Sequence, residues 1–346
     1  MRAIPSSLTV RAQSLRTFAI VAIALVASFL LLGVPQFVNA MTLGSIYALI
    51  ALGYTMVYGI IELINFAHGD VFMVGAFASL WVLTTPLGLP DRPINNPLEL
   101  AGVLLIVVVP VMLFMGLVNV IIERVAYRPL RHAPRLAPLI TAIGVSFMLQ
   151  NFVQALFGPS PHPTPQIFPH VDVATIDSFN ILGLQVTGGV IRGLNLTMVV
   201  VALVLMAILQ SFVARTRLGR AMRSTAQDRE AAELMGVDIN QTIAITFFIA
   251  AALAGAGGVI YGLYFGSIQF NLGFYTGLKA FTAAVLGGIG NTAGAAVGGF
   301  VIAFIEVAAA QAGYNRWSEV AVFTVLILVL VFRPSGLFGQ TLGERA

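Results

Sequence analysis

Long apolar runs recur along this chain, and they decide most of what it can fold into. Residues 41–61, 100–122 and 242–265 are examples, each beyond the ~18 residues at which an apolar segment reads as a membrane-spanning helix. Only 9% of the 346 residues are charged and 58% are hydrophobic, whereas soluble domains carry about 25% charged residues. A soluble core could not bury so many runs. In lipid a helix satisfies its own backbone polar groups. The expected fold is therefore all-α, a polytopic transmembrane helical bundle of about 8–10 spans. The spans fall near 18–34, 41–61, 70–85, 100–122, 137–157, 196–213, 242–265, 279–290, 294–311 and 318–332. The segments 70–85 and 279–290 are short for a crossing, so short or broken helices are expected near 62–85 and 279–291.

Basic residues set the orientation. With the N-terminus inside, alternate loops hold Arg2, Arg11 and Arg16, then Arg124, Arg128, Arg131 and Arg135, then Arg215 to Arg229, and finally Arg333 and Arg345. Only Arg92, Arg192, Lys279 and Arg316 are left outside, as the positive-inside rule requires. The first 40 residues also resemble a secretory signal ending at Val38-Asn39-Ala40. The apolar run resumes at once, so a retained first helix is expected. The Pro- and Gly-containing loop 158–195 is expected to form a partly ordered outside cap.

Composition also excludes chemistry. The chain has no cysteine, which removes disulfides, thiolate metal sites and cysteine nucleophiles. Its four histidines lie far apart, so no metal site is expected. The formal charge of +4 fits membrane orientation and gives no reason to expect nucleic acid.

One stretch stands out against this background. Residues 228–236, Asp-Arg-Glu-Ala-Ala-Glu-Leu-Met-Gly, place three acids and an arginine between two spans on the inner side. Asp228 is placed to cap a helix beginning at Arg229, with Glu230 in the first turn where the helix dipole favours an acid. Gly236 suits the left-handed position that ends it. Ala231 and Ala232 would admit a second surface, and Leu234 and Met235 form an apolar knob. A headgroup-facing surface helix is the plainer alternative.

Here the chain resembles a known family. Glu230, Ala231, Ala232 and Gly236 match the EAA loop of ABC importer permeases, although the Ile and Leu-Pro found farther on in many permeases are missing. The likeness extends over residues 38–338, which resemble the LivH-type branched-chain amino acid permease family. The stretches that carry it are 42–70 (TLGSIYALIALGYTMVYGIIELINFAHGD), 123–131 (ERVAYRPLR), 141–151 (TAIGVSFMLQN), 279–299 (KAFTAAVLGGIGNTAGAAVGG) and 326–339 (LILVLVFRPSGLFG). The resemblance implies a permease domain over 38–338 with a cytoplasmic coupling loop at 214–241. It leaves 1–37 as a tail and extra first helix and 339–346 as a C-terminal tail. It further implies that Glu230, Ala231, Ala232, Leu234, Met235 and Gly236 dock on a cytoplasmic ATPase. The implied partners are a second, LivM-type permease subunit, two cytoplasmic ABC ATPases and a periplasmic substrate-binding protein, all around a multi-pass chain in the lipid of a bacterial inner membrane.

A candidate translocation path runs through two interrupted segments. Asn65, His68 and Asp70 follow the run 41–61, and Gly287, Gly288, Gly290 and Asn291 break a late one. Paired interrupted segments point to a central site in transporters, and an ionisable group inside a membrane faces protein or water. The plainer alternatives are a turn with Asp70 as helix cap and close glycine packing, for which Gly294 and Gly298 have the spacing. Gln150, Asn151 and Gln154 read as interhelical glue. Glu306, inside an apolar run, must be neutral, paired or wet, with no arginine placed to meet it.

The sole lysine, Lys279, precedes Ala280, so no Gly-x-x-x-x-Gly-Lys-[Ser/Thr] phosphate loop is present. The expected protein is no enzyme and binds no cofactor itself, ATP being used by its partners. It would import branched-chain amino acids, or urea, amides or aromatic acids. A proton-coupled carrier using Glu62, Asp70 or Glu306 is the rival from another class. A membrane enzyme with His68 and Asp70 as acid and base is more remote.

Overall fold

A computed structural model describes residues 7–338 except 63, 90, 132, 135, 182, 183 and 334, with side chains from residue 26 onward except 181 and 184. Arg2, Arg135, Arg345 and the tail 339–346 lie outside the described residues, as do the side chains of Arg11 and Arg16.

The chain is a helical bundle. Helices α1 (Ser7–Ile61), α2 (His68–Thr84), α3 (Pro97–Ile122) and α4 (Leu136–Phe157) come first. A π-helical turn at Glu123–Tyr127 and a 3₁₀ turn at Arg128–Leu130 follow α3. After a loop of short strands come α5 (Gly193–Arg215), α6 (Arg217–Gln227), α7 (Arg229–Leu234), α8 (Ile239–Phe265), α9 (Leu272–Gly287), α10 (Thr292–Gln311) and α11 (Ser318–Phe332). Among the described residues seven segments are long and apolar enough to cross a membrane: Val26–Ile61, Pro97–Leu130, Leu136–Phe157, Gly193–Arg215, Ile239–Phe265, Thr292–Gln311 and Asn315–Phe332. The shorter α2 and α9, at 17 and 16 residues, are the two interrupted segments anticipated near 62–85 and 279–291.

Small residues set the packing. Lipid gives apolar helices no reason to associate through hydrophobicity, so close backbone approach and dispersion must hold them. A Cβ on Gly75 of α2 would lie 2.7 Å from the Gly255 Cα of α8, and one on Gly299 of α10 would lie 2.5 Å from the Ala48 nitrogen of α1. Gly298 closes on Ala283 across α9 and α10 in the same way. The buried centre consists of α1, α2, α8 and α9 with one face of α10. Helices α3, α4, α5 and α11 surround it and turn apolar side chains such as Leu113, Phe147, Ile208 and Val331 outward.

Two expectations gain detail and one is corrected. The expected spans 18–34 and 41–61 are two helical stretches of α1 that meet at a break at Gly33, whose φ of 71° is open to glycine and strained for other residues. Pro35 follows, and the freed Val34 N–H donates to the Thr187 carbonyl at 2.9 Å. That carbonyl belongs to the loop 158–195, which is partly ordered by short strand pairs. Strand β1 (His162–Pro163) pairs with β6 (Ser267–Ile268), β2 (Asp172–Ile176) with β5 (Gly189–Arg192), and β3 (Phe179–Ile181) with β4 (Leu184–Val186), all antiparallel.

The correction concerns Lys279. It is not in an outside loop but inside α9, because α9 begins at Leu272. Its ammonium donates to Glu306 Oε1 at 2.7 Å and lies 3.6 Å from Glu319, while Tyr47 donates to Glu306 Oε2 at 2.7 Å. The lone acid in an apolar run is thus paired with the lone lysine. The other described basic residues divide as expected: Arg124 to Arg131, Arg215 to Arg229 and Arg333 lie at one end of the bundle, and Arg92, Arg192 and Arg316 at the end carrying the hairpins.

Lys279→Met should leave Glu306 unpaired and lower the melting temperature of the detergent-purified chain, removal of one partner of a buried pair costing about 3 kcal/mol. Adding Glu306→Gln should restore most of the loss, and an unrescued double variant would show that the pair is not what stabilises α9 on α10.

Candidate functional site

Helix α1 ends at Ile61, and the next residue, Glu62, has φ +57°. It is the one non-glycine residue with positive φ among the described residues, a conformation that persists only where its surroundings enforce it. The chain then turns inward until the His68 N–H reaches the Asn65 carbonyl at 3.1 Å and α2 begins. Asn65, His68 and Asp70 are all buried.

Each of the three meets a different helix. The Tyr127 hydroxyl, from the π turn, donates to Asn65 Oδ1 at 2.7 Å. The His68 ring stands edge-on to Tyr54 of α1, centroids 4.8 Å apart, in the space left by the absent side chain of Gly53. Ser146 of α4 donates to Asp70 Oδ2 at 2.5 Å, and Gln150 donates to the Ser146 oxygen at 3.3 Å. On the remaining side α9 closes in: a Cβ on Gly69 would lie 2.7 Å from the Gly277 Cα, and one on Gly273 would lie 2.7 Å from Asp70 Oδ1.

The cluster is only partly satisfied. Asp70 Oδ1, both His68 ring nitrogens, Asn65 Nδ2 and the Thr55 hydroxyl have no hydrogen-bond partner in the described chain. An unsatisfied buried polar group costs about 1–3 kcal/mol, and native proteins keep such groups mainly where strain, chemistry or a bound molecule uses them. Among the described residues no group of three or more His, Asp or Glu side chains could hold a metal ion.

The late glycines lie elsewhere. Gly287, Gly288, Gly290 and Asn291 form the turn from α9 to α10 at the arginine-rich end, with φ of 104° at Gly288 and 89° at Gly290. Asn291 caps α10 by accepting from the Gly294 N–H at 3.0 Å and donates to the Phe338 carbonyl at 3.0 Å. Phe338 N–H returns a bond to the Gly287 carbonyl. The structure therefore does not bring this turn to His68 and Asp70; the start of α9, at Gly273 and Gly277, stands there instead. Sequence reasoning missed those two glycines, Ser146 and Tyr127. Gly273 and Gly277 carry a usable signal, the four-residue spacing that lets helices approach closely. Asn151, grouped with Gln150 in the sequence, is exposed and bonds only to the Phe147 carbonyl of its own helix.

Helix α7 has the anticipated form. Asp228 Oδ1 accepts from the Ala231 N–H at 3.0 Å, Glu230 occupies the first turn, and Gly236 has φ +86°. Leu234 and Met235 are 89% and 85% exposed. The two alanines separate: Ala231 is exposed, but Ala232 is buried against the chain itself and offers no surface to a partner. Arg229 points back into the bundle, where Nε and Nη2 donate to the Ile60 carbonyl at 3.1 and 2.5 Å. Burial pulls its guanidinium below the usual pKa, Glu62 opposes that shift, and Arg131 adds to it.

These parts adjoin one another. A cavity of about 450 Å³ at the arginine-rich end is lined by Glu62, Arg229, Glu123, Arg131 and Tyr127, with Ile64 and Leu139 among its apolar walls. Glu123 is 1% exposed and pairs with Arg131. Tyr127 joins this cavity to Asn65, and Arg229 joins it to α7.

Comparison with known proteins identifies the family. The family described as branched-chain amino acid transport system / permease component matches residues 36–331. The high-affinity branched-chain amino acid transport system permease protein BraD of Pseudomonas aeruginosa is 42% identical over 307 residues, covering 88% of this chain and 95% of the relative. LivH of Escherichia coli K12 is 38% identical over 312 residues with the same coverage, and a probable LivH of Methanocaldococcus jannaschii is 24% identical over 311 residues, or 87% of this chain and 91% of its own. No solved structure matches. A multi-pass helical bundle whose match runs almost end to end belongs to the branched-chain amino acid transport system permease component family.

Proposed function

We propose that this chain is the membrane-spanning permease subunit of an ATP-driven importer, and that it moves branched-chain amino acids into the cytoplasm. The observation that carries the coupling is α7. A six-residue helix, too short to persist alone, is held by an N-cap and by Arg229 so that it presents Leu234 and Met235 bare at the arginine-rich end. An apolar tip projecting from that end suits a groove on a cytoplasmic ATPase. The substrate class rests on the relatives, whose names specify branched-chain amino acids.

Several finer statements belong to the same proposal. The arginine-rich end faces the cytoplasm. ATP binds two separate ATPase subunits, this chain holding no cofactor. A second, LivM-type permease completes the membrane unit, and a periplasmic binding protein delivers substrate to the hairpin end. The path passes the polar cluster of Asn65, His68 and Asp70 and leaves through the cavity at Tyr127, with the turn at Gly287 to Asn291 as packed support. ATPase movement at α7 reaches that path through Arg229 and the end of α1.

One observation favours a second reading. A buried Asp70 with an unpartnered oxygen is what a proton-coupled carrier would use. Reconstitution separates the two. Vesicles holding this chain, its permease partner, both ATPases and the binding protein should accumulate leucine only with internal ATP and should ignore a protonophore. Uptake that survives without ATP and collapses with the protonophore would establish the carrier instead.

The α7 tip makes a separate prediction. Leu234→Asp with Met235→Asp should cut ATP-driven uptake roughly tenfold or more, loss of an apolar anchor in a groove costing about 2 kcal/mol, without changing the chain's melting temperature. Ala232→Leu should lower the melting temperature because that position is packed. Normal uptake with the double aspartate variant would leave α7 a headgroup-facing helix.

A further inference from the structure

A second cavity at the arginine-rich end is used by none of the functions above. It occupies about 580 Å³ between the end of α3, the π turn and the start of α8. Its rim carries Arg124, Arg128, Asp238 and Gln241, and its floor is Val120, Ile245 and Phe248. The polar groups sit at the level where α8 begins, and the apolar ones lie one to two turns deeper along both helices.

The charges in this cavity are unequally engaged. Glu123, which also lines it, is buried and paired with Arg131. Asp238 caps α8, its Oδ1 accepting from the Gln241 N–H at 3.0 Å. Arg124 and Arg128 are exposed, and neither guanidinium group makes a hydrogen bond or ion pair with any described residue. Both acids are therefore engaged, while neither guanidinium group has a partner among the described residues. Arg124 lies within the π-helical turn Glu123–Tyr127 and Arg128 directly follows it, a geometry frequent at functional sites.

We propose that this cavity binds an anionic phospholipid, with the headgroup phosphate between Arg124 and Arg128 and an acyl chain along Val120, Ile245 and Phe248. Paired guanidinium groups suit a phosphate through charge-assisted, bidentate hydrogen bonds. Basic pockets between membrane helices on the cytoplasmic side suit anionic headgroups. The apolar floor selects lipid over a free anion, because a tailless phosphate would leave that surface wet. The lipid would tie α3 to α8 beside the point where Asn119 already bonds the Phe247 carbonyl at 2.8 Å.

The test uses the full chain purified in detergent and titrated with palmitoyl-oleoyl phosphatidylglycerol, palmitoyl-oleoyl phosphatidylcholine or glycerol phosphate, with bound ligand read by native mass spectrometry. Phosphatidylglycerol should bind best. Arg124→Gln with Arg128→Gln should weaken it about thirtyfold, each arginine near the surface being worth about fivefold. Arg217→Gln with Arg220→Gln removes the same charge from exposed sites on α6 and should leave affinity within about twofold of the parent. Equal weakening in both double variants would reduce the effect to general surface charge and overturn the site. So would glycerol phosphate binding as tightly as the lipid. Unchanged lipid affinity in the Arg124/Arg128 variant, with loss of the copurifying ATPase, would assign the arginines to a protein partner instead.

Discussion

Backbone-to-backbone contact between helices is the constraint on which the rest of the structure depends. In lipid, apolar side chains gain nothing by leaving the solvent, so the central helices hold together only where their backbones touch. Glycine and alanine supply those contacts: Gly75 on Gly255, Gly299 on Ala48, Gly69 on Gly277. The same closeness draws a partly satisfied polar cluster together. His68 fits only because Gly53 has no side chain, and Asp70 is closed over by Gly273. A larger residue at either glycine would push apart the helices that bury the cluster.

Polar groups are then placed where this packing can bear them. Glu306 would be costly alone in the apolar run of α10, and Lys279 with Tyr47 makes it tolerable. Arg229 takes up the Ile60 carbonyl that the end of α1 leaves free, joining the exposed α7 to the start of the interrupted segment. Glu62, with its left-handed backbone, marks the change of direction between them. From Arg229 to Asn65 the structure is a continuous series of contacts through the charged cavity and Tyr127, and the backbones of α7 and of the start of α2 extend it to Leu234 and Asp70. That continuity gives the proposed coupling a physical route, each step being a hydrogen bond, a shared cavity wall or a stretch of backbone.

What was legible in the sequence was local. The cap at Asp228, the first-turn acid at Glu230 and the left-handed Gly236 depend on residues three or four apart, and each appears where expected. The apolar runs and the clustering of arginines at one end were readable for the same reason, because span length and loop charge are properties of short segments. The unread features depend on partners far along the chain. Asp70 leans on Ser146, and Asn65 on Tyr127. Lys279 reads as a loop residue until α9 is seen to start seven residues earlier. The late glycines were readable two ways, because glycine marks both a broken helix and a tight turn; their contacts with Gly294 and Phe338 describe the turn.

The absence of cysteine from this chain opens the most direct test of the central claim, that the buried cluster lies on the path and opens during transport. A single cysteine at Ser146, beside Asp70, should resist a small water-soluble thiol reagent in the resting complex and react during ATP-driven turnover with substrate present. A faster reaction only when ATP, binding protein and substrate are together is the predicted result. A cysteine that stays unreactive through rapid uptake would contradict it, and the cluster would then be a fixed part of the helix packing.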